Sequence, residues 1–359
     1  MGKILITGSM GLVGSEAAKV FMDKGYEVAG IDNNMRKYFF GKDGDVSNTI
    51  FGRPTDEYIH YWEDIRNQEK VEEIIQRENP VLVIHSAAQP SHDWAATEPL
   101  TDFDINARGT LILLEACRKY CPDAVFIYVS TNKVYGDSPN NISYVENATR
   151  FEPSTLEMMK GYSEGIDESM SIPTLEMMKG YSEGIDESMS IDYSMHSLFG
   201  VSKLAGDMLT QEYGRYFGLK TGVFRCGCVT GRNHASAELH GFLAYMAKCK
   251  REGRRYKVFG YKGKQVRDNI HASDLARAFH HFYMTPKCGE VYNMGGGTHS
   301  NISVLEALRR FYLEYDYIDT PRKGDHRWYI SNVNKFKKDY PSWFYRYNMN
   351  DIIGELQTQ

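Results

Sequence analysis

Apolar runs recur along the first 230 positions of this chain, each followed by an amphipathic stretch. Ile4 to Thr7, Glu27 to Ile31, Tyr58 to Trp62, Val81 to His85, Ala124 to Ser130 and Thr221 to Arg225 have the length and β-branched character of strands. Little polar alternation interrupts them, which suits strands buried on both faces of a parallel sheet. Helical spacing fills the gaps: Leu12 to Lys24, a segment through Arg77, Asp104 to Tyr120, and a stretch from the Ser194–Ser197 region to about Phe217. Asp32 to Arg53 is polar and glycine-bearing and reads as a loop.

Strands alternating with helices at roughly thirty-residue intervals specify a parallel sheet with helices on both faces. The expected fold is α/β, a Rossmann-type doubly wound parallel sheet carrying a smaller α/β C-terminal lobe. From Thr230 the pattern changes. Tyr256 to Phe259 and Val291 to Met294 read as strands; Gly241 to Lys250, Ser273 to Tyr283 and Ser303 to Tyr315 read as helices. Residues 1–228 are thus expected to form one domain and 229–359 a substrate-binding lobe, with 266–296 returning to the first.

Positions 155–191 interrupt the pattern. Thr155 to Ile172 is repeated letter for letter by Thr174 to Ile191. Two copies are too few for a solenoid, and identity this complete points to a recent or constructed duplication. The copy abutting His196 is expected to keep the ordinary path while the other loops out, since long surface insertions cost little.

The first strand carries the clearest chemistry. After Thr7 come Gly8, Gly11 and Gly14, then a helix, then a strand ending at Asp32. Such glycines allow a tight turn, backbone approach to a pyrophosphate and close helix–sheet packing. The helix start offers amides and a positive dipole end to phosphate, and the acid accepts hydrogen bonds from ribose hydroxyls while repelling a 2′-phosphate. Arg36 and Lys37 are cations that would instead suit a 2′-phosphate; Asp32 at the strand end favours NAD. Gly8, Asp32, Asp64, Ala87 and Thr131 all fall at predicted strand ends, where such sheets bind ligands. Asp64 has two readings, an adenine contact or the N-cap of the next helix. Ser194 and Ser197 are alternative N-caps for the later helix, on which His196, Phe199, Gly200 and Lys203 share a face. Lys203 then sits among apolar neighbours and needs a partner.

Composition narrows the picture slightly. A net charge of −5 argues against nucleic acid or an anionic membrane as main partner. The six cysteines form no Cys-x-x-Cys pair, so neither a zinc site nor a disulfide framework is expected. No hydrophobic leader precedes the first strand and no run reaches membrane-spanning length. The start lacks the Ser or Thr of a myristoylation signal. A cytoplasmic protein is expected. The denser cationic segment Lys262-Gly263-Lys264-Gln265-Val266-Arg267 suits a diphosphate.

These blocks resemble, in order, the extended short-chain dehydrogenases/reductases that modify nucleotide sugars. The resemblance rests on Thr7-Gly8-x-x-Gly11-x-x-Gly14, Asp64, His85 to Ala88, Asn106 and Ser130-Thr131-x-x-Val134-Tyr135-Gly136. It continues through Arg267-Asp268-x-x-His271-x-x-Asp274 and Asn293-x-Gly295-Gly296-Gly297. It is nearest to the CDP-paratose (CDP-tyvelose) 2-epimerases in Ser130 to Asp137, His196 to Lys203 and Gly263 to Asp268. It implies a retained NAD that oxidises a sugar carbon (C2 in the 2-epimerases) to a transient ketone and reduces it back on the other face. The implied NAD site comprises Thr7, Gly8, Gly11, Leu12, Val13, Asp32, Asn33, Arg36, Asp64, Ile65, Ala87, Ala88, Gln89, Asn106, Ser130 and Lys203. The implied substrate contacts are Ser91, His92, Lys133, Asn233, Arg267 and Arg327, facing a CDP-linked sugar. No metal is implied. A homodimer built on Leu100 to Tyr120 and Leu198 to Phe217 is the family expectation. Thr131 matches the residue that bonds the reacting hydroxyl, and Lys203 the lysine that binds the nicotinamide ribose. The family's Tyr-x-x-x-Lys reads Phe199-x-x-x-Lys203, and phenylalanine has no proton to exchange. His196, Tyr193 and Tyr135 are the alternative bases in this reading, beside a trapped variant and a silent binding protein. Acidic residues do not follow Thr131, which argues against a dehydratase.

Overall fold

The structure, a computed structural model, describes residues 2–49, 57–154, 180–235, 237–238, 240–322 and 324–358. Seven parallel strands form its central sheet, in the order Glu290–Met294, Lys220–Cys226, Val125–Thr131, Leu82–His85, Lys3–Thr7, Glu27–Ile31, Tyr58–Tyr61. Side chains alternate between two cores. Ile4, Ile6, Ile84 and Ile127 join Phe21, Phe279 and Phe282 on one face; Leu5, Val83 and Phe126 join Ile74, Leu113 and Leu114 on the other. Burial on both faces explains why these strands read as near-continuous apolar runs.

The chain winds outward from Lys3–Thr7 to Tyr58–Tyr61, then returns to place Leu82–His85 on the other side of the first strand. That reversal opens a crevice at the carboxyl ends of these two strands, where such sheets bind ligands. The strand Val266–His271 pairs with Asn301–Ser303, Trp328–Tyr329 and Cys228–Thr230. A third apolar cluster, built from Leu243, Met246, Leu308 and Ile352, supports this C-terminal region.

Several local expectations are corrected. The expected loop after Asp32 holds a short helix, Met35–Phe40, and a 3-10 turn, Gly41–Gly44; Phe39 anchors it by packing on Trp94, with ring centroids 4.6 Å apart. The helix expected over Ser303 to Tyr315 spans only Val304–Phe311. Ser303 and Glu306 close its start as a capping box, and Tyr312 in the left-handed region (φ 49°) ends it. Tyr315–Ile318 then pairs with Tyr256–Phe259. Pro99–Phe103 and Gly109–Tyr120 are joined by a π-turn at Asp104–Arg108. Ser197, not Ser194, caps Leu198–Phe217 by accepting from Gly200 N at 3.0 Å. Among the described residues, no helix is long and apolar enough to cross a membrane.

The first copy of the repeat lies outside the described residues, as does the second up to Lys179. From Gly180 the second copy is built into the fold. Ile185 is buried and exchanges backbone hydrogen bonds with Ile330 and Asn332, while Glu187 accepts from Asn293 N at 2.7 Å. Deleting Thr155 to Pro173 leaves every one of those partners in place. The shortened chain is therefore expected to keep its thermal midpoint and its bound dinucleotide, measured by calorimetry and by nucleotide released on denaturation. Loss of either would show the first copy to be structural.

Candidate active site

The glycine loop packs closely at the crevice. Gly8 adopts φ 70°, and a Cβ there would lie 2.7 Å from Ala87 N. A Cβ on Gly14 would meet Gly8 O at 2.1 Å. The loop thus accepts only glycine at both positions, and it brings main chain to the edge of a cavity of about 480 Å³. Asp32 closes the same end. Its carboxylate accepts from Met10 N at 3.0 Å and from Asn34 N at 2.8 Å, tying the strand end to the loop. Burial raises its pKa against these amides.

Gly8, Gly11, Leu12, Val13, Asp32, Asn33, Arg36, Asp64, Ile65, Ala87, Ala88, Ser130 and Lys203 line this cavity. Arg36 turns its guanidinium to Ala235 O (2.9 Å) and lies over the Phe40 ring. Asp64 does not cap the next helix; Asn67 does. Asp64 pairs instead with Arg66 and accepts from Asn33 at 3.0 Å.

Three expected cofactor residues lie behind the wall. Thr7 is opposite His85 in strand register, and its hydroxyl meets His85 Nδ1 at 2.7 Å. His85 Nε2 in turn meets Thr110 at 2.9 Å, and burial, with Lys203 nearby, keeps this ring neutral. Asn106, on the π-turn, donates to Gln89 O, Asp102 and Ser202; Gln89 donates to Asp102 and Ser91 O. Thr7, Gln89 and Asn106 are absent from the cavity lining, and their hydrogen bonds join the residues behind it.

Thr131, Phe199 and Lys203 also line the cavity. Lys203 Nζ donates to Val129 O at 2.8 Å and stands 4.2 Å from the Tyr128 ring centroid. Burial pushes its pKa down to about 8, opposed by Asp207. Thr131 Oγ1 accepts from Lys133 N at 3.2 Å, and its own proton makes only a 3.4 Å contact with Asn132. The Phe199 ring packs on His92, centroids 4.9 Å apart.

The alternative bases fall outside the cavity lining. His196 points both ring nitrogens at main-chain carbonyls, Ser194 O at 2.9 Å and Val134 O at 2.8 Å. Tyr193 is fully exposed. Tyr135 is buried between Arg225 and Asn293, which holds its hydroxyl at 2.8 Å, and burial raises its pKa to about 12.

Among the expected substrate contacts, His92, Lys133 and Arg267 line the cavity. Ser91 is instead the N-cap of His92–Thr97. Asn233 reaches back to Ser15 at 3.4 Å. Arg327 is exposed over the Tyr261 ring, and Lys262 and Lys264 are both paired with Glu146. Arg322 takes the cavity position, donating to Asp93 at 2.8 Å. Arg267 pairs with Asp325. The sequence reading also missed His234, His240, Cys228 and Tyr256, all in the lining; only His234, next to Asn233, had a neighbouring signal.

Comparison with known proteins agrees with this geometry. Residues 4–164 and 156–295 match the NAD dependent epimerase/dehydratase family, the two matches overlapping within the first repeat copy. The chain is 30% identical over 351 residues to the CDP-paratose 2-epimerase of Salmonella typhi, covering 93% of this chain and 92% of that protein. It is 27% identical over 302 residues to the dTDP-glucose 4,6-dehydratase of Salmonella typhimurium, covering 82% and 72%. The crystal structure of UDP-glucose 4-epimerase from Thermotoga maritima with UDP-glucose superimposes with a TM-score of 0.71 at 25% identity, over 99% of this chain and 96% of that one. A glycine cradle that excludes any Cβ, an acid at the second strand end and a buried lysine in the cavity lining fit the cofactor of that family, and the chain belongs to the NAD dependent epimerase/dehydratase family.

Proposed function

We propose that this protein epimerises a nucleotide-linked hexose, inverting one carbon with NAD retained through the cycle, and that its substrate resembles CDP-paratose. The observation carrying this reading is the 30% identity to a CDP-paratose 2-epimerase across 93% of the chain. The absence of acidic residues beside Thr131, where Asn132 and Lys133 stand, separates it from 4,6-dehydration. When bound, NAD supplies a reversible two-electron acceptor. The chain's own residues do the rest. The Gly8 loop and the following helix start hold the diphosphate, and Asp32 accepts from the adenosine ribose. Lys203 holds the nicotinamide ribose, Thr131 hydrogen-bonds the reacting hydroxyl, and Arg267 and Arg322 face the sugar nucleotide's diphosphate.

Incubation with CDP-paratose in deuterated buffer, without added NAD, tests this reading by NMR. With the cofactor retained, the carbon should be inverted and keep its own hydrogen; deuterium at that carbon, or no product, rejects the proposal. Phe199 favours a second reading, a protein that binds NAD and nucleotide sugar without turnover. No turnover of CDP-paratose, with both ligands bound stoichiometrically by calorimetry, selects it.

A further inference from the structure

Phe199 leaves the proton of the reacting hydroxyl without an acceptor, and the cavity wall around it offers few. Cys226 and Cys228 remain thiols, because burial raises their pKa to about 12 and about 11. Asp325 is committed to Arg267. Lys203 is anchored on Val129 O. Burial keeps His234 and His240 poor proton acceptors and holds the proton on Tyr256, so His92 and Lys133 remain.

Lys133 has an arrangement that suits a neutral amine. Its Nζ donates to Gly324 O at 2.8 Å and meets His326 Nδ1 at 3.4 Å. His326 Nε2 faces Gly136 O at 2.8 Å, so that nitrogen carries the ring hydrogen and Nδ1 presents its lone pair to Lys133. Two N–H groups satisfy both acceptors and leave one lone pair on Nζ. A charged ammonium would keep a third proton there instead. The Asn132–Tyr135 turn fixes the Lys133 main chain beside Thr131, whose Oγ1 accepts from Lys133 N at 3.2 Å, and both residues line the cavity.

We propose that Lys133 is the catalytic acid/base that replaces the missing tyrosine hydroxyl. This rests on the epimerase reading above. Nζ would take the hydroxyl proton as the carbon is oxidised and return it to the same oxygen as the carbon is reduced on the opposite face, a bound NAD supplying the two-electron acceptor and donor. Amine and cofactor end as they began, and the sugar is inverted. The surrounding charges support the neutral form. Burial lowers the Lys133 pKa to about 7; Arg267 and Arg322 act in the same direction, and Asp325 opposes them. A base that titrates near the working pH is the efficient kind. His92 is pushed to about 3 by burial, with Lys133 and Arg322 adding, so it stays neutral and is a weak acceptor. Both its ring nitrogens are buried without a partner, which suits hydrogen bonds to sugar hydroxyls.

The test has two arms. In the protein alone, acetic anhydride labelling read by peptide mass spectrometry across pH should show Lys133 half-reactive near pH 7; titration above pH 9 overturns the proposal. In the second arm, Lys133→Arg and Lys133→Met should lower kcat for CDP-paratose by at least about 10²-fold, with NAD per chain unchanged. The wild-type kcat/KM should fall below about pH 7, and His92→Asn should raise KM while keeping that acid limb. If wild type turns over and Lys133→Arg stays within threefold of it, the lysine assignment fails and the epimerase reading stands. If wild type turns over no CDP-paratose while binding both ligands, both fail.

Discussion

Replacing Gly14 by alanine is expected to strip the protein of its NAD. The added Cβ would lie 2.1 Å from Gly8 O, 2.8 Å from Gly8 C and 2.8 Å from Ser9 Cα. All three are main-chain atoms, so no side chain can swing aside. Either the helix Leu12–Met22 retreats or the loop does. Gly8 has little room to move, because its own φ of 70° sets it against the Ala87 backbone. The amides aimed at the diphosphate then lose their alignment, and the Met10 N bond to Asp32 loosens with them. A displacement of this order costs roughly 10²-fold in function when a site depends on positioning. NAD released by denaturing the purified variant should fall well below one per chain. Gly354→Ala is the control. Its Cβ would meet nothing within 4 Å, and NAD content should be unchanged. Full NAD in Gly14→Ala would reject the steric argument.

Asp207→Ala should be the most destabilising single change in this part of the fold. Asp207 is fully buried and holds Arg225 through two hydrogen bonds, Nε at 2.9 Å and Nη2 at 3.0 Å. It also accepts from Ser130 at 2.7 Å and Gln211 at 2.6 Å. Alanine leaves a buried guanidinium uncompensated, a change worth about 3–5 kcal/mol. The free energy of unfolding in urea should drop by that amount with little change in slope. The pair itself is not the source of that loss, since burying two charges costs about as much as their attraction returns. Asp207→Leu combined with Arg225→Met should therefore recover a large part of the stability. Full additivity of the two single losses would show instead that the packing, not the stranded charge, dominates.

The stretch from Lys3 to Asp32 was legible because its constraints are local. Apolar run length marks a strand buried on both faces, and three glycines at fixed offsets mark a turn that no Cβ can enter. The same holds for Leu198–Phe217, whose helical spacing put Phe199 and Lys203 on one face. The reading weakened where the chain has no period. Met35–Phe40 looked like loop because its six residues form a helix only with Phe39 packed on Trp94, 55 positions away. Thr7 and Asn106 read as cofactor contacts from their places in the motifs. Strand register and the π-turn set both side chains into hydrogen bonds outside the cavity lining.

The sequence by itself determined the α/β class, the winding of the sheet, the place of the NAD cradle and the absence of a tyrosine hydroxyl at position 199. Tertiary structure decided which polar groups face the cavity. Arg322 and Arg327 are equivalent cations in sequence, yet in the fold Arg322 lines the cavity while Arg327, next to the strand pairing of Trp328 with Val266, is exposed. His196 sits beside the helix start in sequence, yet two main-chain carbonyls claim its nitrogens. Lys133 and His92 meet near Phe199 with Gly324 and His326, four segments brought together only by folding. Local propensity carries information over a few turns of chain. The protonation state of a buried amine depends on the dielectric and charges around it, and distant segments supply both.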